Sequence, residues 1–236
     1  MKKYLAFDVG GTSVKYAVVN EEGEVSSSNK FKTPDTLEKM YQEIENVAHE
    51  YQDIEGIALS MPGAVESDGG IIYGSSAIDY IHGPNIKEDL KQRLNKDVEF
   101  ENDANCAALA EVWKGVACHE NDCCFIVSGT GIGGAVIKDR HVHHGNALHG
   151  GEFGYMLLSE PAETLGNWSL LASTGSLVRS VQARTSSQDW NGKKIYEAAA
   201  AGDEICQAAI EQMNRNLAKG LLNIQYLFDP DVISLG

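Results

Sequence analysis

The chain has 236 residues, 43% of them apolar, which suits one large domain or two lobes of ordinary size and excludes a disordered chain. Its formal charge of −15 argues against nucleic acid and anionic membrane surfaces as partners. The same charge opposes an anionic ligand, so a phosphate site must offset the field with local donors and a metal ion.

No apolar run reaches transmembrane length, and the start meets Asp8 too soon for a signal peptide. Five cysteines without repeated spacing are read as free thiols in a reducing, cytoplasmic compartment. Residues 4–9 and 14–19 read as strands around a glycine turn, and residues 25–31 as a third strand, so the chain opens as an antiparallel meander. After Thr33-Pro34-Asp35, the apolar positions Leu37, Met40, Tyr41, Ile44, Val47, Ala48 and Tyr51 fall on one helical face. Residues 54–60 form the next strand, ending at Met61-Pro62-Gly63. A loop-rich region over 69–85 holds the short strand Ile71-Ile72-Tyr73. A helix over 86–94 and a strand over 98–101 follow, then a helix over 104–114 with Gly115 as its stop.

Residues 123–128 and 135–138 are strands around a second glycine turn, which repeats the N-terminal arrangement and reads as an internal duplication. Residues 141–151 form a loop rich in glycine and histidine. A single long helical pattern runs from about 198 to 228, and residues 231–236 begin a buried strand. A chain that stops inside such a strand is expected to continue beyond Gly236.

Three stretches carry candidate chemistry. Glu101-Asn102-Asp103-Ala104-Asn105 lies between a strand and a helix, where a carboxylate is held on rigid elements; its plain alternative is helix capping by Asn102 or Asp103. Asp8-Val9-Gly10-Gly11-Thr12 with Lys15 is a tight turn whose N–H groups can approach phosphate oxygens. Asp8 could hold a hydrated Mg²⁺, although two glycines between strands also make an ordinary hairpin. Gly129-Thr130-Gly131-Ile132-Gly133-Gly134 satisfies G-x-G-x-x-G, with Glu152 near the spacing of a ribose-binding acid. A β-branched run follows it where a dinucleotide site requires a helix, so that reading is disfavoured. His141, His143, His144 and His149 crowd one loop without the spacing of a zinc site.

The ordered set D-x-G-G-T-x-x-K at 8–15, M-P-G at 61–63, E-N-D-A-N at 101–105, G-T-G-I-G-G at 129–134 and G-G-E-F-G-Y at 150–155 resembles the ROK family of sugar kinases and sugar-responsive repressors, within the actin-like ATPase superfamily. The resemblance covers essentially the whole chain. It implies an α/β fold of two ribonuclease-H-like lobes, over 1–112 and 113–236, with ATP and sugar in a cleft. It implies Asp103 as catalytic base, and Gly63, Asn102, Glu152 and Tyr155 beside it around the sugar. Gly10, Gly11, Thr12 and Lys15 would form one phosphate loop, Gly129, Thr130 and Gly131 the other, with Asp8 near Mg²⁺. A homodimer is the family habit.

Two departures stand out. Tyr155 replaces the usual histidine, and Glu163-Thr164-Leu165-Gly166-Asn167-Trp168-Ser169-Leu170 lacks the family's zinc-binding cysteines, so no structural zinc is expected. A similar G-E-F-G-Y variant occurs in β-glucoside kinases of the family and favours a glucoside or modified hexose. Asp8 comes too early for a preceding helix-turn-helix, which disfavours a repressor. The expected activity is transfer of the γ-phosphoryl of ATP to a sugar hydroxyl, O6, with a non-catalytic sugar sensor as the alternative.

Overall fold

The computed structural model describes residues 1–159 and 166–236. Glu163, Thr164 and Leu165, the start of the cysteine-free stretch, lie outside them. The chain packs as two compact units, 1–107 and 108–236, divided inside one helix.

In the first unit, β1 (Lys3–Val9), β2 (Ser13–Asn20) and β3 (Val25–Lys32) form an antiparallel meander. The chain then crosses through α1 (Leu37–Glu50) to β4 (Gly56–Met61). It continues through the hairpin of β5 (Ala64–Glu66) and β6 (Ile71–Tyr73) and through α2 (Ile86–Leu94). From there β7 (Asp97–Asn102) runs directly into α3 (Asp103–Lys114). The sheet order is β3-β2-β1-β4-β7, with β4 parallel to both neighbours, as the helical crossovers require.

Helix α1 forms where the periodicity places it. Thr36 caps it by accepting from the N–H of Lys39, and Met40, Tyr41, Ile44, Val47 and Ala48 bury one face. Each large apolar side chain buried this way contributes about 1.5–3 kcal/mol. Strand pairing also determines where the polar groups meet. Lys15 is opposite Asp8, Asp8 opposite Ser60, and Ser60 opposite Glu101, so the four form one row across β2-β1-β4-β7. The row lies near the carboxyl ends of the parallel strands, where open α/β sheets place ligands.

In the second unit, β8 (Cys123–Ser128), β9 (Ile132–Lys138) and β10 (His141–Val142) form another antiparallel meander. Among the described residues four α-helices follow before β11: α4 (Trp168–Ala172), α5 (Thr174–Thr185), α6 (Gly192–Ala200) and α7 (Glu204–Phe228). β11 (Val232–Leu235) then pairs parallel with β8, giving the order β10-β9-β8-β11. This matches β3-β2-β1-β4, so the two units repeat one core, as the duplicated pattern leads one to expect, and it is the ribonuclease-H-like core that the family resemblance implies.

The single helix expected over 198–228 is instead two. Gly202 takes φ +100 and Asp203 caps the next helix by accepting from the N–H of Cys206, so the apolar spacing runs across a break. The β5 strand and helices α4 and α5 carry no clear periodic signal. Trp168 is fully buried against Gly220 of α7, where any side chain would overlap its indole.

Candidate functional site

Asn102, the last residue of β7, is the cap of α3. Its Oδ1 accepts from the N–H groups of Ala104 (2.9 Å) and Asn105 (3.2 Å), and its Nδ2 donates to the carbonyl of Gly63 at 3.0 Å. Gly63 sits at φ +102, a conformation that L side chains rarely adopt. A Cβ there would also press on Ile72 and on the ring of His82. The M-P-G turn and the E-N-D-A-N stretch are therefore joined by one hydrogen bond. With both lone pairs of Oδ1 taken and one N–H on Gly63, the amide of Asn102 also supports the Asp103 carboxyl.

Because Asn102 supplies the cap, Asp103 stands as the first residue of α3 and keeps exposed area. The protein around its carboxyl still desolvates it in part, and this raises its pKa above the ordinary Asp value. The N–H of Ala104, 2.8 Å from Oδ1, pulls the other way, and the negative charge of Asp8 adds to the rise. A partly desolvated carboxylate at a strand end, with its pKa raised, is a better proton acceptor than an ordinary surface Asp.

Asp8 is held on both sides. Its Oδ2 is 3.1 Å from the ammonium of Lys15, and Ser60 donates to its Oδ1 at 3.2 Å. Its side chain is 52% exposed, which leaves room for a hydrated cation outside the carboxylate. Lys15 stands on β2 itself, and the turn proper is residues 10–12. That turn closes with the N–H of Gly10 donating to Ser13, while Thr33 Oγ1 donates to the carbonyl of Gly10. One turn into α3, Cys106 has its thiol pushed up to about 12, chiefly by burial, and stays protonated.

In the second unit the turn at 129–131 is bounded by hydroxyls. Ser169 Oγ accepts from the N–H of Ile132 at 2.8 Å, and Ser173 Oγ donates to the carbonyl of Thr130 at 3.1 Å. Ser173 also caps α5, and Gly175 comes so close that any side chain there would meet the Thr130 carbonyl. Gly133 and Gly134 lie inside β9, and no helix follows the turn, which removes the dinucleotide reading. Glu152 opens a 3₁₀ turn, and both its side chain and that of Tyr155 are exposed, the latter by 76%. Phe153 between them is buried and stacks edge-on against Phe228 at 5.8 Å, which anchors the turn.

The first unit thus brings together Asp8, Lys15, Gly63, Asn102 and Asp103, and the second brings the 129–131 turn and the Glu152 turn to either side of Ser169. Sequence reasoning missed Ser60, Ser67, Ser169 and Ser173. Of these only Ser173, a serine opening a helix beside a glycine, left a local signal. Among the described residues, no group of three or more His, Cys, Asp or Glu side chains is placed to hold a metal ion. A lone Asp8 fits a hydrated Mg²⁺ whose other ligands are phosphates and water, and does not fit a protein cage.

A profile of the ROK family matches residues 4–236. The β-glucoside kinase of Listeria monocytogenes is 34% identical over 241 residues, covering 99% of this chain and 82% of that protein. A ROK family protein of Streptococcus pneumoniae, solved in complex with sucrose, superposes with a TM-score of 0.95 at 47% identity, over 99% of this chain and 80% of that one. A ROK family glucokinase of Streptomyces griseus, in complex with glucose and AMPPNP, superposes at 0.80 with 30% identity, over 99% and 82%. The repeated sheet, the two glycine turns and a family match from residue 4 to residue 236 lead to one conclusion: the chain belongs to the ROK family.

Proposed function

We propose that this chain is an ATP-dependent sugar kinase that transfers the γ-phosphoryl group to O6 of a hexose, a β-glucoside or an N-acyl hexosamine. The observation that carries the reading is Asp103, a carboxyl with a raised pKa beside the Asn102–Gly63 pair and within the field of Asp8. Kinase relatives that act on β-glucosides, and a neighbour holding glucose with an ATP analogue, support the substrate class.

Phosphoryl transfer is largely a matter of positioning and charge stabilisation. Asp103 accepts the proton of the attacking hydroxyl. Asn102, Glu152, Gly63 and Tyr155 orient the sugar. Backbone N–H groups of Gly11, Thr12, Thr130 and Gly131 approach the phosphates within the turns that Gly10 and Gly129 close, and Lys15 opposes their charge. A hydrated Mg²⁺ near Asp8 neutralises phosphate charge when bound. No helix among the described residues is long and apolar enough to cross a membrane; a cytoplasmic homodimer is part of the reading.

The test is ADP release with Mg²⁺-ATP and a panel of glucose, mannose, N-acetylmannosamine, N-acetylglucosamine, cellobiose and an aryl β-glucoside. Sugar-dependent release is expected, and the best sugar names the class. Sugar binding by calorimetry with no release from any sugar overturns the kinase reading in favour of a sensor.

A further inference from the structure

Glu101 has a place in the polar row but no role in the chemistry above. Its Oε1 accepts from the backbone N–H of Asn102 at 2.7 Å and from Asn105 Nδ2 at 3.0 Å, and its Oε2 accepts from Ser67 Oγ at 2.9 Å. The three donors come from β7, from the first turn of α3 and from the turn between β5 and β6. Asn105 is only 6% exposed, and its Oδ1 is buried without a partner. Burying an amide with half its hydrogen-bonding capacity unmet is costly. Asn105 holds that position while its Nδ2 is spent on Glu101.

The consequence falls on Asp103. The residue before it is tied at its backbone to Glu101 and at its side chain to Gly63, Ala104 and Asn105. The residue two places after it is tied to the same Glu101 carboxylate. We propose that Glu101 is a positioning residue for Asp103: it fastens the β5–β6 turn to the first turn of α3 and so fixes the direction of the base without touching the sugar. The kinetic part of this proposal rests on the kinase reading. These donors occupy both lone pairs of Oε1 and one of Oε2, so the carboxylate is engaged chiefly with the fold.

The geometry separates two substitutions. Glu101→Gln keeps a carbonyl oxygen for Asn102 and Asn105, and its amide can donate to Ser67, whose hydroxyl also accepts. Glu101→Ala removes the contacts with Asn102, Asn105 and Ser67. Steady-state kinetics on the full chain would be read alongside hydrogen exchange at the Ala104 and Asn105 amides. For Glu101→Ala we expect kcat to fall about 10²-fold, as a misplaced reacting group does, with sugar KM little changed and both amides exchanging faster. Glu101→Gln should restore most of kcat. If Glu101→Ala does not fold, Ser67→Ala removes one contact and should lower kcat in the same direction by a smaller factor.

Wild-type kcat in Glu101→Ala, or in Ser67→Ala where that variant is used, overturns the proposal. So does a loss confined to KM, or a Glu101→Gln variant as impaired as Glu101→Ala. If the wild-type chain turns over no sugar, the kinase reading fails by itself and exchange decides the rest. Faster exchange in the variant keeps Glu101 as the anchor of the helix start, and unchanged exchange removes it.

Discussion

The two units build the same hairpin and then equip it differently. In the first, the strands entering and leaving the turn carry Asp8 and Lys15, paired at 3.1 Å, and the row continues through Ser60 to Glu101. In the second, the turn is bounded by Ser128, Ser169, Ser173 and Thr174, and the start of α5 packs beneath it. One turn is set among charges and the other among neutral hydroxyls. The shared topology determines where a turn can meet a ligand, and the flanking side chains determine what it does there. On the kinase reading, the charged turn serves the reacting end of the nucleotide and the neutral one contributes binding.

The largest effect should come from the base beside the charged turn. Asp103→Asn removes it, and general-base loss costs about 10²–10⁴-fold in turnover. Near-normal turnover would take Asp103 out of the mechanism. The same variant makes a second measurement with a worked sign. A folded-state pKa raised above the unfolded value means the fold holds the proton more tightly. The stability Asp103 adds is therefore present at acid pH and lost as pH rises through its folded pKa. At neutral pH, Asp103→Asn should unfold no earlier than wild type, and the acid limb of wild-type kcat/KM should lie above the ordinary Asp range. A variant that melts markedly lower at pH 7 would contradict the desolvation assigned to this carboxyl.

Asp8→Asn comes next. It keeps the shape that Ser60 touches but removes the charge facing Lys15, and a loss of about 10²-fold in kcat is expected from missing electrostatic support. Asp8 also helps raise the Asp103 pKa, so the acid limb should move down in this variant. An acid limb that stays in place would separate the two carboxylates and weaken the account of a single charged site.

Much of this arrangement was legible in the sequence, for physical reasons that differ by region. Strands and helices of the first unit declare themselves because alternating and 3–4 spacings survive intact, as in Met40, Tyr41, Ile44 and Val47. That Asp103 stands where a strand becomes a helix follows from the same patterns. Helix α4 left no such trace, since five residues are too few to show a period, and Ser173 ends it while capping the next. The break at Gly202 was hidden because Ala198, Ala199 and Ile205 preserve the apolar rhythm across it. The contact of Glu101 with Ser67 could not be read at all: the two are 34 positions apart, and only the fold brings them together.

A further test addresses the neutral turn. Gly175→Val would force a side chain into the Thr130 carbonyl, and overpacking of this kind costs about 1–3 kcal/mol. If the 129–131 turn binds nucleotide, the cost should appear as a rise in KM for ATP of roughly tenfold or more, with sugar KM unaffected. A change in sugar KM alone would assign this turn to the sugar.

The smallest expected effect sharpens the comparison most. Ser128 ends β8, as Val9 ends β1, and its hydroxyl accepts from the N–H of Thr174 at 3.2 Å. Ser128→Ala removes that acceptor and leaves the α5 start one hydrogen bond short. About 1 kcal/mol of stability should be lost, visible as a lower midpoint in urea with an unchanged slope. Turnover should hold close to wild type, because no charge faces the turn from this position. If Ser128→Ala instead lost as much kcat as Asp8→Asn, the neutral turn would be acting on the reacting groups, and the division of labour drawn from the two hairpins would fail.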